Sequence, residues 1–98
     1  NTRFKLAEMR TEIEFCRAYL DRCMELQLKQ ELGIDAAAAA KYKISEMCSK
    51  VVDECLQLHG GYGYMLEYPI ARAYIDNRAN RIYAGTNEIM KELIARSL

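Results

Sequence analysis

Two stretches of regularly spaced apolar residues constrain the fold of this 98-residue chain more than any other feature. Apolar residues recur at steps of three and four from residue 2 to about residue 32, and again from residue 36 to about residue 59, as on one face of an amphipathic helix. The first face comprises Leu6, Met9, Ile13, Cys16, Leu20 and Cys23, and the second comprises Ala37, Ala40, Ile44, Met47, Val51, Cys55 and Leu58. Gly33 is predicted to cap the end of the first helix and Asp35 the start of the second. The pattern therefore predicts an antiparallel helical hairpin.

The rest of the chain is predicted to form two shorter helices joined by turns. Gly60 and Gly61 stop the second helix, and Pro69 suits the first position of a third helix that runs to about Arg78. Thr86 is a suitable N-cap for a final helix. The residues of that helix predicted to face inward are Ile89, Met90, Leu93, Ile94 and Leu98. Since no segment shows strand-like alternation, the predicted fold class is all-α, an up-down helical bundle.

Composition and charge narrow the function classes. Lysine and arginine together number 14, as do aspartate and glutamate, so the chain has no basic field for nucleic acid. No apolar run approaches the roughly 20 residues that span a bilayer, and the first residues lack the apolar core of a secretion signal. These features predict a soluble intracellular domain without a membrane span. The sequence enters a predicted helix at once and does not begin with methionine, so we expect a fragment of a larger protein.

Four cysteines occur in two pairs with a spacing of seven residues, Cys16 with Cys23 and Cys48 with Cys55. Two helical turns put the members of a pair about 10 Å apart, too far for one tetrahedral metal to hold both. In the predicted hairpin Cys16 can lie level with Cys55, and Cys23 with Cys48, which permits disulfides, but an intracellular chain keeps such thiols reduced. We interpret the cysteines as core residues, with a zinc or redox module as the alternative. His59, alone at a helix end, is expected to offset the helix dipole.

Two segments have backbone chemistry suited to a ligand. The glycine turn at residues 60–63 follows a helix end, unlike the strand-to-helix loop of dinucleotide-binding folds, so it is not predicted to cradle a phosphate. Its glycines permit close approach to a ligand or a bare turn, and both interpretations stay open. Residues 84–88 open a helix and present unpaired N–H groups to an anion or a carbonyl oxygen. The structural alternative is that Thr86 caps this helix and Glu88 satisfies its dipole.

Three motifs carry a resemblance to a known family. The sequence reads Q-x-x-G-G-x-G-Y from Gln57, E-Y-P from Glu67 and I-Y-x-G-T-x-E-I from Ile82. Together these motifs resemble the C-terminal domain of the acyl-CoA dehydrogenases, flavoenzymes that desaturate acyl-CoA thioesters between the α and β carbons. The similarity covers all 98 residues, with the start of the chain corresponding to the second long helix of that domain. It implies a four-helix bundle whose first helix is absent, in a parent enzyme with an N-terminal helical domain, a middle β domain, FAD between domains and a tetrameric assembly.

The resemblance implies two groups of cofactor-binding residues. In the family, the positions that match Gln57, Gly60 and Gly61 approach the ADP half of a flavin held mainly by the neighbouring subunit. The positions that match Thr86 and Glu88 contact the pyrophosphate and ADP region of the subunit's own FAD. One chain is therefore expected to contribute to two flavin sites.

The resemblance also implies that Tyr83, Ala84 and Gly85 contact the substrate. The residue that matches Ala84 donates its backbone N–H to the thioester carbonyl, which acidifies the α-proton. Many family members have a glutamate at this position, and its carboxylate removes the α-proton. The long-chain and isovaleryl-type members resemble this sequence in having a small residue there, and they take the base from a glutamate on the preceding helix. We therefore expect no catalytic base and no metal ligand in this chain, and no activity from the chain alone.

The implied partners are an acyl-CoA substrate and an electron-transfer flavoprotein or another electron acceptor. The implied location is the bacterial cytoplasm or the mitochondrial matrix. The alternative function is a non-catalytic helical interaction domain that keeps the bundle without the flavin chemistry.

Overall fold

The computed structural model describes all residues from 1 to 98 and contains four α-helices and no strand. The helices are α1 (Thr2–Leu28), α2 (Ile34–His59), α3 (Pro69–Arg78) and α4 (Asn87–Ala95). Short 3₁₀ turns lie at Gly60–Tyr64, after α2, and at Ala79–Arg81, after α3. The prediction of an all-α fold is confirmed, and Pro69 and Thr86 stand at the helix starts where they were expected.

Helix α2 is the centre of the fold, because α1, α3 and α4 each pack against it. From α1, the residues Met9, Cys16 and Cys23 are buried at a spacing of seven. Ala38 of α2 and Ala71 of α3 are also buried, and their small side chains let neighbouring helices approach closely. No large side chain is fully buried, so the chain does not close a core of its own.

The turn between α1 and α2 differs from the prediction. Gln30, and not Gly33, takes the left-handed conformation, with a φ of 58°. The Gln30 N–H donates to the Gln27 carbonyl oxygen over 3.0 Å. The Glu31 N–H donates to the Leu26 carbonyl oxygen over 2.8 Å, which completes the Schellman pattern that closes a helix. These bonds offset the cost of about 1 kcal/mol or more that a non-glycine residue incurs at positive φ.

Gly33 is the N-cap of α2, with a φ of −80°, and not the C-cap of α1. Asp35, predicted as the N-cap, lies in the first turn of α2. A Cβ added to Gly33 would lie only 2.6 Å from the Asp35 Oδ1. The missing side chain of Gly33 therefore lets this carboxylate fold back over the helix start, where negative charge is favourable.

The cysteine register also differs from the prediction. The Cys55 Sγ lies 3.9 Å from the Met9 Sδ, so Cys55 is level with Met9 and not with Cys16, seven residues further along α1. The predicted level pairs, Cys16 with Cys55 and Cys23 with Cys48, are wrong because they require a turn centred near residue 35. The observed turn is centred near residue 31. All four cysteines are free thiols, and no three histidine, cysteine or acidic side chains come together as metal ligands.

Several apolar residues that were predicted to face inward are exposed. They are Leu6, Leu20, Ala37, Leu58, Ile89 and Leu98. Each outer helix packs mainly on α2, and one partner helix covers a narrower stripe than the apolar face provides. The radius of gyration is 15.5 Å, against about 13 Å for a compact domain of this size. The uncovered apolar faces are therefore available to other protein surfaces.

No helix combines the length and the apolar character that a membrane crossing requires.

The thiols of Cys16 and Cys48 are expected to react slowly. Burial raises the pKa of the Cys16 thiol, with a further contribution from the nearby Glu12 carboxylate, and burial raises the pKa of Cys48. Since the thiolate is the nucleophile, alkylation of both by iodoacetamide at pH 8 is expected to be at least about 10-fold slower than in guanidinium. Peptide mass spectrometry at timed intervals measures the two rates. Native labelling as fast as labelling of the unfolded chain would contradict the burial of these thiols.

The same pKa shift fixes the direction of the pH dependence of stability. A thiol with a raised folded pKa keeps its proton to higher pH than the unfolded chain does. The free energy of unfolding is therefore expected to be unaffected by these thiols below about pH 8.5 and to fall as the pH rises further. Denaturant unfolding at a series of pH values measures this free energy.

Candidate functional site

The loop at residues 83–86, here called the α4 loop, has an unusual backbone. Ala84 has a φ of 56° and Gly85 a φ of 93°, so two consecutive residues occupy positive φ. Glycine suits the second position, because an added Cβ there would also lie 2.7 Å from the Met90 Cε. Alanine at the first position incurs a strain of about 1 kcal/mol or more. Such strain occurs most often where a loop conformation serves a ligand.

The consequence of this conformation is a row of free hydrogen-bond donors. The backbone N–H groups of residues 84–88 donate no hydrogen bond within the chain. The Thr86 Oγ1 caps α4 by accepting from the Ile89 N–H over 3.2 Å, as predicted, which leaves the five earlier donors free. At the positive end of a helix dipole, consecutive free N–H groups form a concave site for an anion or a carbonyl oxygen.

A cluster of polar side chains holds the α4 loop against α2 through hydrogen bonds. The Lys41 ammonium donates to the Gly85 carbonyl oxygen and to the Asn87 Oδ1, each over 2.8 Å. The Asn87 Nδ2 donates to the Ser45 Oγ over 2.9 Å and to the Tyr42 carbonyl oxygen over 3.3 Å. Asn87 and Ser45 are 4% and 8% exposed, so the bond between their side chains is buried, whereas the bond from Lys41 to Gly85 is exposed. Since buried polar groups are costly when unpaired, the cluster specifies one position of the loop on α2.

A groove of about 150 Å³ borders the start of α4. Its lining includes Arg78, Arg81, Thr86 and Glu88. The Arg81 Nε is buried and has no hydrogen-bond partner in the chain. Two guanidinium groups beside free N–H groups favour an anionic ligand, and the carboxylates of Glu46 and Glu88 line the same groove.

The glycine turn after α2 has three glycines with different structural requirements. Gly60 has a φ of 64° with a ψ of −143°, a combination that essentially only glycine adopts. A Cβ on Gly63 would lie 2.6 Å from the Leu56 carbonyl oxygen, so packing within the chain requires glycine there. At Gly61 a Cβ would meet no atom within 4 Å, and the residue has no positive φ. Nothing within this chain therefore requires glycine at residue 61.

The neighbours of the glycine turn are accessible. Gln57 is exposed on the last turn of α2. The His59 Nδ1 lies 2.7 Å from the Cys55 carbonyl oxygen, so its ring is held at the C-terminal end of α2.

The structure does not bring the two groups of predicted cofactor residues together. Thr86 and Glu88 share their groove with Glu46, in the middle of α2, while Gln57 lies eleven residues further along that helix. At 1.5 Å per residue this is a separation of about 16 Å along the helix axis. The chain therefore has two separate candidate ligand surfaces, the α4 loop and the glycine turn.

Comparison with known proteins decides the family. The model of the acyl-CoA dehydrogenase C-terminal domain matches residues 1–98. This chain belongs to the acyl-CoA dehydrogenase family. The mitochondrial long-chain specific acyl-CoA dehydrogenase of Sus scrofa is 56% identical over 94 residues, which are 96% of this chain and 22% of that protein. The caffeyl-CoA reductase-Etf complex subunit CarC of Acetobacterium woodii is 33% identical over 97% of this chain and 25% of that protein.

This chain is also similar in fold to a solved structure. The crystal structure of acyl-CoA dehydrogenase from Geobacillus kaustophilus superposes with a TM-score of 0.95 and 49% identity, over 97% of this chain and 25% of that one. The resemblance inferred from the three motifs is thus confirmed for family and fold. The chain spans about a quarter of the length of these acyl-CoA dehydrogenase relatives.

Sequence reasoning assigned Tyr83, Ala84 and Gly85 to the substrate and Thr86 and Glu88 to the cofactor. In the structure these residues lie on the α4 loop and the first turn of α4, and their assigned roles stay predictions. Tyr83 is 60% exposed and its hydroxyl donates to the Asn80 side-chain oxygen.

The residues that sequence reasoning missed are those that hold the α4 loop and flank its groove. They are Lys41, Ser45, Arg78, Arg81 and Asn87. One signal was available in the sequence of α4. Asn87 lies three residues before Met90 and seven before Ile94, so this polar residue is on the same half-buried face. A polar residue on such a face needs partners, and Ser45 on the buried side of α2 supplies one.

Proposed function

We propose that this chain is the C-terminal flavin- and substrate-contacting part of an acyl-CoA dehydrogenase whose parent protein desaturates acyl-CoA thioesters between the α and β carbons. The observation that carries the proposal is the row of five free N–H groups at residues 84–88, on a strained loop with the family's motif. The match to the long-chain specific enzyme supports the substrate class.

The proposed role of the α4 loop is to polarise the substrate. The Ala84 N–H binds the thioester carbonyl oxygen and stabilises the negative charge that develops there when the α-proton leaves. The exposed ring of Tyr83 provides an apolar surface for the acyl thioester. The strained φ of Ala84 supports this role, because such strain clusters at ligand sites and the Ala84 N–H has no acceptor within the chain.

The residues around the groove fit a flavin nucleotide. FAD supplies the hydride acceptor when it is bound. Thr86 and Glu88 hold the pyrophosphate and ADP region of the subunit's own FAD, where the N–H row and the unpaired Arg81 Nε favour negative charge. The fit rests on donors that have no partner in the chain.

The glycine turn is proposed to face the flavin of a second subunit. Gln57 offers an exposed amide, and Gly60 and Gly61 leave the backbone bare for close approach. Next to the turn, Tyr64 is 90% exposed and Leu66 61% exposed, which suits a surface covered by another subunit. Both the bare backbone of the glycine turn and the exposed side chains beside it fit a homo-oligomer, which we propose is a tetramer in the parent protein.

Ala84 has no group that can remove a proton. The catalytic base in the proposed reaction is a glutamate of the parent protein outside this sequence, and the isolated chain is proposed to be inactive. The electron acceptor is an electron-transfer flavoprotein or a similar protein, a proposal supported by the name of the related Acetobacterium subunit. The proposed location is the mitochondrial matrix or the bacterial cytoplasm.

The full-length parent protein tests this function. We expect it to purify with about one FAD per subunit and to reduce an artificial electron acceptor only when an acyl-CoA is added. A series of saturated acyl-CoA thioesters from short to long chains gives the substrate range, with mass spectrometry of the enoyl product. An FAD-free protein, or a flavoprotein inert toward every thioester in the series, would refute the proposal.

A further inference from the structure

Lys41 occupies a position that the stability of the fold alone does not explain. Its ammonium lies at the N-terminal end of α4, 2.8 Å from the Gly85 carbonyl oxygen and 2.8 Å from the Asn87 Oδ1. None of the five ion pairs in the chain includes Lys41. A cation next to the positive end of a helix dipole is unfavourable, because the charges repel. The lysine thus adds positive potential where the dipole is already positive.

The hydrogen bond from Lys41 determines which way the next donor points. In a trans peptide the C=O and the following N–H point in opposite directions. Because the Gly85 carbonyl is held toward Lys41 on α2, the Thr86 N–H of the same peptide must point away from α2. The bond therefore directs the free Thr86 N–H away from α2.

The partner of Lys41 on α4 is itself rigidly held. Asn87 is 4% exposed, and its amide donates to Ser45 and to the Tyr42 carbonyl. Its Oδ1 is thereby fixed as an acceptor for the ammonium. The ammonium of Lys41 is therefore held by two acceptors, the fixed Asn87 Oδ1 and the Gly85 carbonyl oxygen.

We propose that Lys41 is a positioning residue for the α4 loop: its ammonium, held by Asn87, fixes the Gly85–Thr86 peptide and adds positive charge behind the N–H row that binds the thioester oxygen and the flavin phosphates. This inference rests on the proposed function. Lys41 does not touch the substrate in this scheme. It acts through the orientation of Ala84 and Thr86 and through the local electrostatic potential.

Three substitutions in the full-length protein separate the effect of the Lys41 hydrogen bonds from that of its positive charge. Lys41→Met removes both, Lys41→Gln keeps a donor without the charge, and Lys41→Arg keeps the charge and donors. We expect kcat to fall about 10- to 100-fold for Lys41→Met, with a KM within about threefold of the original, because the lost effect is on the transition state. Lys41→Gln is expected to be intermediate, and Lys41→Arg to retain the most activity.

The matched control is Lys43→Met, which changes an exposed lysine of the same helix that makes no hydrogen bond or ion pair in the chain. We expect its kcat to be unchanged. Isotope-edited infrared spectroscopy of a bound acyl-CoA analogue adds a readout that a merely structural role would not move. The thioester carbonyl stretch is expected to shift toward its free-solution frequency in Lys41→Met.

The outcomes distinguish this inference from the proposed function. If the unsubstituted protein is active and all three Lys41 variants match Lys43→Met in kcat and carbonyl frequency, the positioning role is refuted while the proposed function stands. If the unsubstituted protein neither binds FAD nor turns over acyl-CoA, the proposed function fails first. Should Lys41→Met not fold, a higher kcat for Lys41→Arg than for Lys41→Gln supports the inference, and equal values at the unsubstituted level overturn it.

Discussion

Replacement of Ala84 by proline in the full-length protein is expected to lower kcat by at least about 100-fold, the cost of losing one oxyanion donor. Proline has no N–H to give to the thioester carbonyl, and its ring fixes φ near −65°, whereas residue 84 has a φ of 56°. The substitution therefore removes the donor and turns the α4 loop away from its position. Steady-state assays with an artificial electron acceptor measure the loss.

The matched control is Ala84→Gly, which keeps the N–H and suits the positive φ. We expect its kcat to stay within about threefold, and the stability to stay level or rise slightly as the strain at residue 84 is relieved. FAD content and far-UV circular dichroism show whether Ala84→Pro still folds. Equal loss in both variants would mean that the alanine side chain, and not its N–H, is the required group.

Substitution of Gly61 by leucine in the full-length protein is expected to weaken FAD binding. A Cβ added at residue 61 meets no atom of its own chain within 4 Å, so the first atom of a new side chain there does not disturb the packing of the helices. If a nucleotide lies against the bare backbone, the leucine must displace it, and an overpacking cost of about 1–3 kcal/mol raises the Kd for FAD roughly 10- to 100-fold. Titration of the apoprotein with FAD, followed by flavin fluorescence, gives the Kd.

Two controls bracket this result. Gly61→Ala adds one methyl group and is expected to have a smaller effect in the same direction. Gly63→Ala is the opposite case, because its Cβ would lie 2.6 Å from the Leu56 carbonyl oxygen and destabilise the bundle by about 1–3 kcal/mol. A Gly61→Leu protein with an unchanged Kd for FAD would show that the glycine turn faces no nucleotide.

The helices of this fold could be predicted because each depends on local chemistry. Apolar spacing predicted α1 and α2, Pro69 marked the start of α3, and the Thr86 side chain caps α4 as expected. The turn between α1 and α2 was harder. Gln30 takes a conformation usually given to glycine, because two Schellman hydrogen bonds offset its strain. No feature of the sequence marks Gln30, so the register of the hairpin was placed wrongly.

The candidate site, like the fold, could be predicted only in part. The α4 loop could be predicted because its motif is continuous in the sequence and its free N–H groups follow from the start of a helix. The cluster that holds the loop could not be predicted, because Lys41 and Asn87 are 46 positions apart and meet only when α4 packs on α2. The separation of the glycine turn from the α4 loop likewise depends on the length of α2 between them.

The central claim is that the α4 loop and the glycine turn of one chain serve two different flavins. Subunit mixing tests this claim directly, because a two-fold symmetric pair of subunits exchanges the same surfaces in both directions. Full-length Ala84→Pro and Gly61→Leu subunits are each expected to be nearly inactive alone. They are unfolded together at equal concentrations and refolded with FAD above the Kd of the unsubstituted protein but well below that of Gly61→Leu, beside each variant refolded alone.

In a mixed pair, one site combines the intact α4 loop of the Gly61→Leu subunit with the intact glycine turn of the Ala84→Pro subunit. Half of the pairs are mixed at random association and each has one working site, so the account predicts recovery of about 25% of the unsubstituted activity. If both surfaces served one flavin within a subunit, every site in the mixture would carry a defect. Activity no higher than that of the two variants refolded separately would therefore contradict the account.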